Sequence, residues 1–186
     1  SRADNCTISN YSAGIVLQNA NLTNVTNSIA FNNTDGFFAN FSYNNTFTGN
    51  YAYLNSGHGF YTRSGDYNRF INNKASNTGY YVENSSYNYF NNNTANQSAF
   101  FQVLNGNFNT FNTNKVFCAS LHNGFSIEAV MGTARGNILT NNAVYDWCER
   151  AFVFLGADSC SATFNNATST KYAFWAEKSP NLTISR

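Results

Sequence analysis

Charge is what this sequence has least of. Aspartate, glutamate, lysine and arginine make up only 10% of the chain, with a formal net charge of +1, where about a quarter is usual. A stripe of lysine and arginine is missing, which argues against nucleic acid or an anionic membrane as a partner. No apolar run approaches the roughly 20 residues that span a bilayer. Cysteine is sparse as well: Cys6, Cys118, Cys148 and Cys160 show neither the C-x-x-C nor the histidine spacing of a zinc site. Nothing in the sequence calls for a metal or a cofactor. The first residue is serine and no signal peptide is visible, as in a processed or trimmed chain.

Asparagine fills the space, with 35 copies, beside 17% aromatic residues and a single proline. Asn-rich, low-charge sequence can be disordered, but disordered chains lack aromatic residues at regular spacing. Two phrases alternate. The first, Asn-x-aromatic-x-x-Asn, runs Asn45–Asn50, Asn68–Asn73, Asn88–Asn93, Asn109–Asn114 and, with leucine for the aromatic, Asn137–Asn142; looser copies centre on Ile8, Val25, Phe164 and Ile184. The second is Gly or Ala followed by two mostly apolar residues, as in Gly14-Ile15-Val16, Gly36-Phe37-Phe38, Gly59-Phe60-Tyr61, Gly79-Tyr80-Tyr81, Ala99-Phe100-Phe101 and Ala173-Phe174-Trp175. Successive anchors lie roughly 17 to 28 residues apart, inside the range of solenoid repeats.

Short alternating runs bounded by Asn, Ser and Gly read as strands. The expected fold is therefore all-β, a parallel β-helix of about eight coils plus a partial ninth, with right-handed winding favoured by the crossover rule. It occupies residues 1–186 as one domain without terminal caps, either as part of a longer solenoid or as a unit that stacks end to end. In the second phrase the first residue of each pair faces inward, so Ile15, Phe37, Phe60, Tyr80, Phe100, Phe125, Phe152 and Phe174 make one internal pile. Asn50, Asn73, Asn93, Asn114 and Asn142 share one turn position, where stacked amides can donate and accept along the axis. The phrases resemble the parallel β-helix repeat family, the pectate-lyase-like right-handed β-helix superfamily, across nearly the whole chain. That resemblance implies the fold but no activity, because the family spans polysaccharide lyases, hydrolases, epimerases, phage tailspikes and structural rods.

Asn-x-Ser/Thr occurs at Asn5, Asn10, Asn21, Asn24, Asn32, Asn40, Asn44, Asn84, Asn92, Asn96, Asn166 and Asn181. Random order would give roughly six or seven such sequons. N-glycans would place the chain outside the cell and supply the solubility that so few charges do not. Asn5, Asn21, Asn44 and Asn181 are expected in one row along an edge of the rod. Cys118 and Cys148 fall in the long turns of adjacent coils and are expected to form a disulfide, which fits an oxidising compartment.

Carboxylates are few and scattered, so no catalytic cluster is expected. Asp35 and His58 stack as a weak dyad, and Arg63 and Glu83 as a surface ion pair. The densest chemistry is Tyr145-Asp146-Trp147-Cys148-Glu149-Arg150, where Asp146, Trp147 and Glu149 could contact a sugar. The outward residues of the second phrase form an aromatic stripe including Phe38, Tyr61, Tyr81, Phe101 and Trp175, a candidate interface. Together these features point to an extracellular structural glycoprotein that self-associates, head to tail or laterally through the stripe, in a filament, sheath or surface appendage. A carbohydrate-active or carbohydrate-binding β-helix, and a stalk segment of a larger adhesin, are the alternatives.

Overall fold

A computed structural model describes residues 1–97, 100–119 and 122–186. Every coil lays down three short strands, for example Arg69–Ile71, Lys74–Ser76 and Tyr80–Glu83 in coil four, and coils six and seven add a fourth, Ala134–Arg135 and Ala157–Asp158, which pair with each other. Each strand pairs in parallel with its counterpart in the next coil, Phe47 opposite Phe70 opposite Phe90, and Phe37 opposite Phe60 opposite Tyr80. Among the described residues this builds sheet A of nine strands and sheets B and C of eight each. Eight coils and the opening strand of a ninth, Thr183–Ser185, result.

The core is two aromatic piles at right angles. In sheet A, Phe47, Phe70, Phe90 and Phe111 stack face to face with centroids 4.6–4.8 Å apart. In sheet C, Phe37, Phe60, Tyr80, Phe101 and Phe125 stack at 4.3–4.8 Å. The piles meet edge to face, Phe60 to Phe70 at 6.2 Å and 82°, Tyr80 to Phe90 at 6.2 Å and 87°. Each such pair adds about 0.5–1.5 kcal/mol beyond the area it buries. Rings from two sides fill coils three to five, where sheet B contributes only Ala52, Ala75 and Ala95; Ala30 precedes them in coil two, and Val116 and Val144 follow in coils six and seven, all fully buried.

Two corners are held by asparagine ladders. Between sheets A and B, Asn114 Oδ1 accepts the backbone N–H and the Nδ2 of Asn93, at 2.9 and 3.0 Å. Its own Nδ2 donates to Phe90 O and to Asn142 Oδ1. The expected ladder of Asn50, Asn73, Asn93, Asn114 and Asn142 is formed, ending at Asn165. Between sheets C and A a second ladder runs Asn45, Asn68, Asn88, Asn109 and Asn137, the leading asparagines of the first phrase. These steps measure 23, 20, 21 and 28 residues, so the ladder keeps register while loops of different length bulge outward.

Three expectations are corrected. Phe101, not Phe100, enters the pile: it lies opposite Tyr80 and Phe125 and is 1% exposed. Phe101 therefore leaves the outer stripe, where Gln102 takes its place, and Phe100 falls in the column of Gly79. The anchor Ala99 lies outside the described residues. Phe164 is 63% exposed in a left-handed turn, and the core residue of its coil is Ala162. Ile8 belongs to sheet B, opposite Ala30.

Candidate functional site

Chemistry collects on the outer face of sheet C, because strands pointing aromatic residues inward at one position point the next residue outward. Phe38 and Tyr61 stack at 4.6 Å, and Tyr81 follows, tilted, at 5.3 Å. His58 closes the group, 4.6 Å from Tyr61 and 4.7 Å from Tyr81. Asp35 Oδ1 accepts the backbone N–H of His58 and lies 2.9 Å from its Nδ1. On the other side, the Tyr61 hydroxyl donates to Glu83, whose carboxylate sits 3.6 Å from Arg63 Nε. Burial first, and then the bond to Glu83, push the Tyr61 hydroxyl above its ordinary pKa. Burial followed by the charges of Glu83 and Glu128 does the same to Tyr81. Both phenols stay protonated donors at neutral pH.

The face changes character in coils five to eight. Gln102 Nε2 donates to Glu128 at 3.0 Å beside a hollow of about 180 Å³ that Phe100 and His122 also line. Ser126 and Val153 face outward yet are buried, and Arg150 lies over the Trp175 ring at 4.7 Å. The stripe is thus a compact patch of Phe38, Tyr61 and Tyr81, separated from Trp175 and flanked by two carboxylates, a histidine and an arginine. Alternating ring faces and hydrogen-bonding groups suit a sugar ring or a protein surface of mixed polarity. Among the described residues, no three His, Cys, Asp or Glu side chains are placed to share a metal ion.

The Asp146–Arg150 loop does not gather its residues. Asp146 borders a hollow of about 450 Å³ over sheet B, between Lys74, Ser76 and Phe117. Trp147, 79% exposed, borders a separate hollow with Ser169 and Lys171. Glu149 pairs with Arg150 at 3.5 Å toward sheet C. A single ligand held by all three does not fit this arrangement. The loop is instead anchored by the Cys118–Cys148 disulfide, whose Cα atoms are 5.3 Å apart. Cys6 and Cys160 are free thiols, at the first-coil and eighth-coil ends of the two ladder columns.

Of the sequon asparagines, Asn5, Asn10, Asn21, Asn24, Asn32, Asn44, Asn84, Asn92, Asn166 and Asn181 are exposed, while Asn40 and Asn96 are half-buried. The single row is not formed. Asn21, Asn44 and Asn181 stand at the corner between sheets C and A, but Asn5 stands with Asn92 at the corner between A and B. Sequence reasoning missed the second ladder and an exposed aromatic ridge at the C–A corner, Tyr67, Tyr87 and Phe108. The signal for the ridge was an aromatic residue directly before Asn68, Asn88 and Asn109.

No helix among the described residues is long and apolar enough to cross a membrane. No curated protein sequence matches the chain. Among solved structures, QnrB1, a plasmid-mediated fluoroquinolone resistance protein, aligns at 10% identity over 88% of this chain and 92% of its own, with a TM-score of 0.24. HetL, a pentapeptide repeat protein involved in heterocyst differentiation regulation in the cyanobacterium Nostoc sp. strain PCC 7120, aligns at 12% identity over 88% and 84%, with a TM-score of 0.19. Neither overlap is close enough to support a functional comparison. The family described as "right handed beta helix region" matches residues 1–144, which with the parallel three-sheet coil shows that this chain belongs to the right-handed β-helix family.

Proposed function

We propose that the chain is an extracellular structural glycoprotein, a stiff rod that self-associates as a subunit of a filament, sheath or surface appendage. The observation that carries this reading is the division of labour among the asparagines. Every sequon asparagine reaches the surface, whereas the buried ladder asparagines, Asn45 to Asn142, start no sequon. Half of that division follows from the pleat, since the second residue after a ladder asparagine points into the core, where Ser or Thr is disfavoured. Thr23 and Ser42, which complete the sequons of Asn21 and Asn40, are buried and hydrogen-bonded in the corner, but the pleat does not demand a Ser or Thr two places after the remaining surface asparagines. The disulfide supports an oxidising compartment. Ring piles and asparagine ladders that run together through coils three to six support stiffness. The Phe38–Tyr61–Tyr81 patch supports a lateral contact, and parallel in-register sheets would extend through a second copy stacked on a terminal coil.

Expression in a secretory host, intact mass before and after enzymatic glycan removal, and electron microscopy test it. The expected results are a mass loss on deglycosylation and filaments or bundles in the images. An unshifted mass defeats the glycoprotein reading, and monodisperse single particles defeat self-association.

A second reading, carbohydrate binding, is favoured by one observation: His58, Asp35, Glu83 and Arg63 surround the half-buried rings of Phe38, Tyr61 and Tyr81 on the outer face of sheet C. It predicts saturable oligosaccharide binding by calorimetry that Tyr61→Ala and Tyr81→Ala each weaken at least tenfold. Unchanged binding in both variants removes sheet C as its seat.

A further inference from the structure

At the corner between sheets C and A, the residue before each ladder asparagine adopts positive φ. Tyr67, Tyr87 and Phe108 do so at 59°, 58° and 53°, a region that side chains larger than asparagine rarely enter. Their rings are nonetheless left in water, 50%, 47% and 45% exposed. They stack at 5.0 Å and 6°, then 5.2 Å and 13°. Bulky residues in an unfavourable conformation, arranged to keep a ring pile at the surface, point to a use outside the core. The pile is closed at its coil-six end, because Gly136 lies against Phe108 so tightly that a Cβ there would fall 2.5 Å from the ring. It is open at the other end, below Tyr67.

Asn44 stands at that open end. Its backbone N–H donates to Asp66 O, as that of Tyr67 donates to Ser86 O, so the two occupy one turn position in consecutive coils, about 4.8 Å apart. Asn44 is exposed at φ 55°, makes no side-chain hydrogen bond among the described residues, and opens the sequon Asn44-Asn45-Thr46. By contrast the amides of Asn40, Asn92 and Asn181 are engaged, with Gln18, Asn72 and Asp158.

We propose that Asn44 carries an N-glycan whose first pyranose packs on the free face of Tyr67, with the Tyr67–Tyr87–Phe108 ridge as its seat. This deepens, and rests on, the glycoprotein reading. The modification forms a bond from Asn44 Nδ2 to the sugar C1 and breaks the bond from C1 to the diphosphate of a lipid-linked donor. One amide proton leaves to the transferase, and the lipid diphosphate is the leaving group. The C–H face of a pyranose meets the electron-rich face of a phenol, and the sugar becomes the next plate of the pile.

The test uses the full chain from a secretory host. Peptide mass mapping reads occupancy at Asn44, and NMR of the glycoprotein reads ring-current shifts on its first sugar. Asn44 occupied, with upfield-shifted sugar protons that are lost in Tyr67→Ala and kept in Tyr67→Phe, is the expected result. Melting should fall by about 2–4 °C in Asn44→Gln, and by much less when Asn44→Gln is added to Tyr67→Ala. An empty Asn44 beside occupied sequons overturns this seat and leaves the glycoprotein reading standing. No occupied sequon overturns both. An occupied Asn44 without shifted protons or coupling overturns the packing alone.

Discussion

Two corners of the coil share an interior and differ outside. Both bury an asparagine ladder with the same hydrogen-bond pattern, Asn114 at the A–B corner and Asn109 at the C–A corner. Just outside the ladder both use a left-handed residue. At the A–B corner those residues are mostly small or polar, Asn5, Asn27, Gly49, Asn72, Asn92 and Asn141, which suit that conformation. At the C–A corner several are aromatic. Phe164 is the lone aromatic at the A–B corner, and among the described residues it stacks on no neighbouring ring, whereas Tyr67, Tyr87 and Phe108 form a continuous exposed pile that the ladder behind them does not require.

The largest expected effect tests the shared interior. Asn109→Ala and Asn114→Ala each orphan a buried backbone N–H and a buried carbonyl, at about 1–3 kcal/mol per group. Each should destabilise by about 3–5 kcal/mol in urea titrations, to a similar extent. A tolerant corner would show that its ladder is passive.

The third corner comes next. There coils six and seven use the Cys118–Cys148 bond, and replacing both cysteines by serine should cost about 2–4 kcal/mol. A smaller change would mean that flanking hydrogen bonds already hold the loops.

The outside of the corners should respond weakly. In glycan-free protein Tyr87→Gly loses two stacked contacts of about 0.5–1.5 kcal/mol each and releases about 1–2 kcal/mol of left-handed strain. The net change should stay within about 1 kcal/mol. A loss above about 2 kcal/mol would make the ridge structural after all.

The smallest effect compares the thiols in the two columns. Burial holds the Cys160 thiol above its ordinary pKa, with Sγ 3.4 Å from Asp158 O and 3.5 Å from Ala134 O. As pH rises, the unfolded thiol ionises first while the folded one keeps its proton. Its contribution is therefore full below the ordinary thiol pKa and declines above it. Iodoacetamide at neutral pH should modify Cys6 in the folded chain and Cys160 only after unfolding, as peptide mass mapping would read.

The sequence disclosed the period, sheet A, one ladder and most of sheet C, because Phe and Asn recur there at fixed offsets. Sheet B was hidden, since alanine gives almost no hydrophobic alternation. Parity failed at Phe100 and Phe101, where adjacent phenylalanines allow either face and only pairing with the next coil decides. Val103 held the answer: Phe101 and Val103 inward match Tyr80 and Val82, whereas Phe100 inward would drag Gln102 into the core. The outer patch was half legible, as Asp35–His58 and Arg63–Glu83 show. The ridge was not, because an aromatic residue in a turn looks like a strand residue until its φ is known.

Coils piling in register is the claim on which both corners depend, and ring-proton NOEs on selectively labelled protein test it most directly. Tyr80 should show contacts to Phe60, Phe101 and Phe90 and none to Phe100. Contacts from Tyr80 to Phe100, or none to Phe60, would contradict the register and with it the alignment of Asn44 beneath Tyr67.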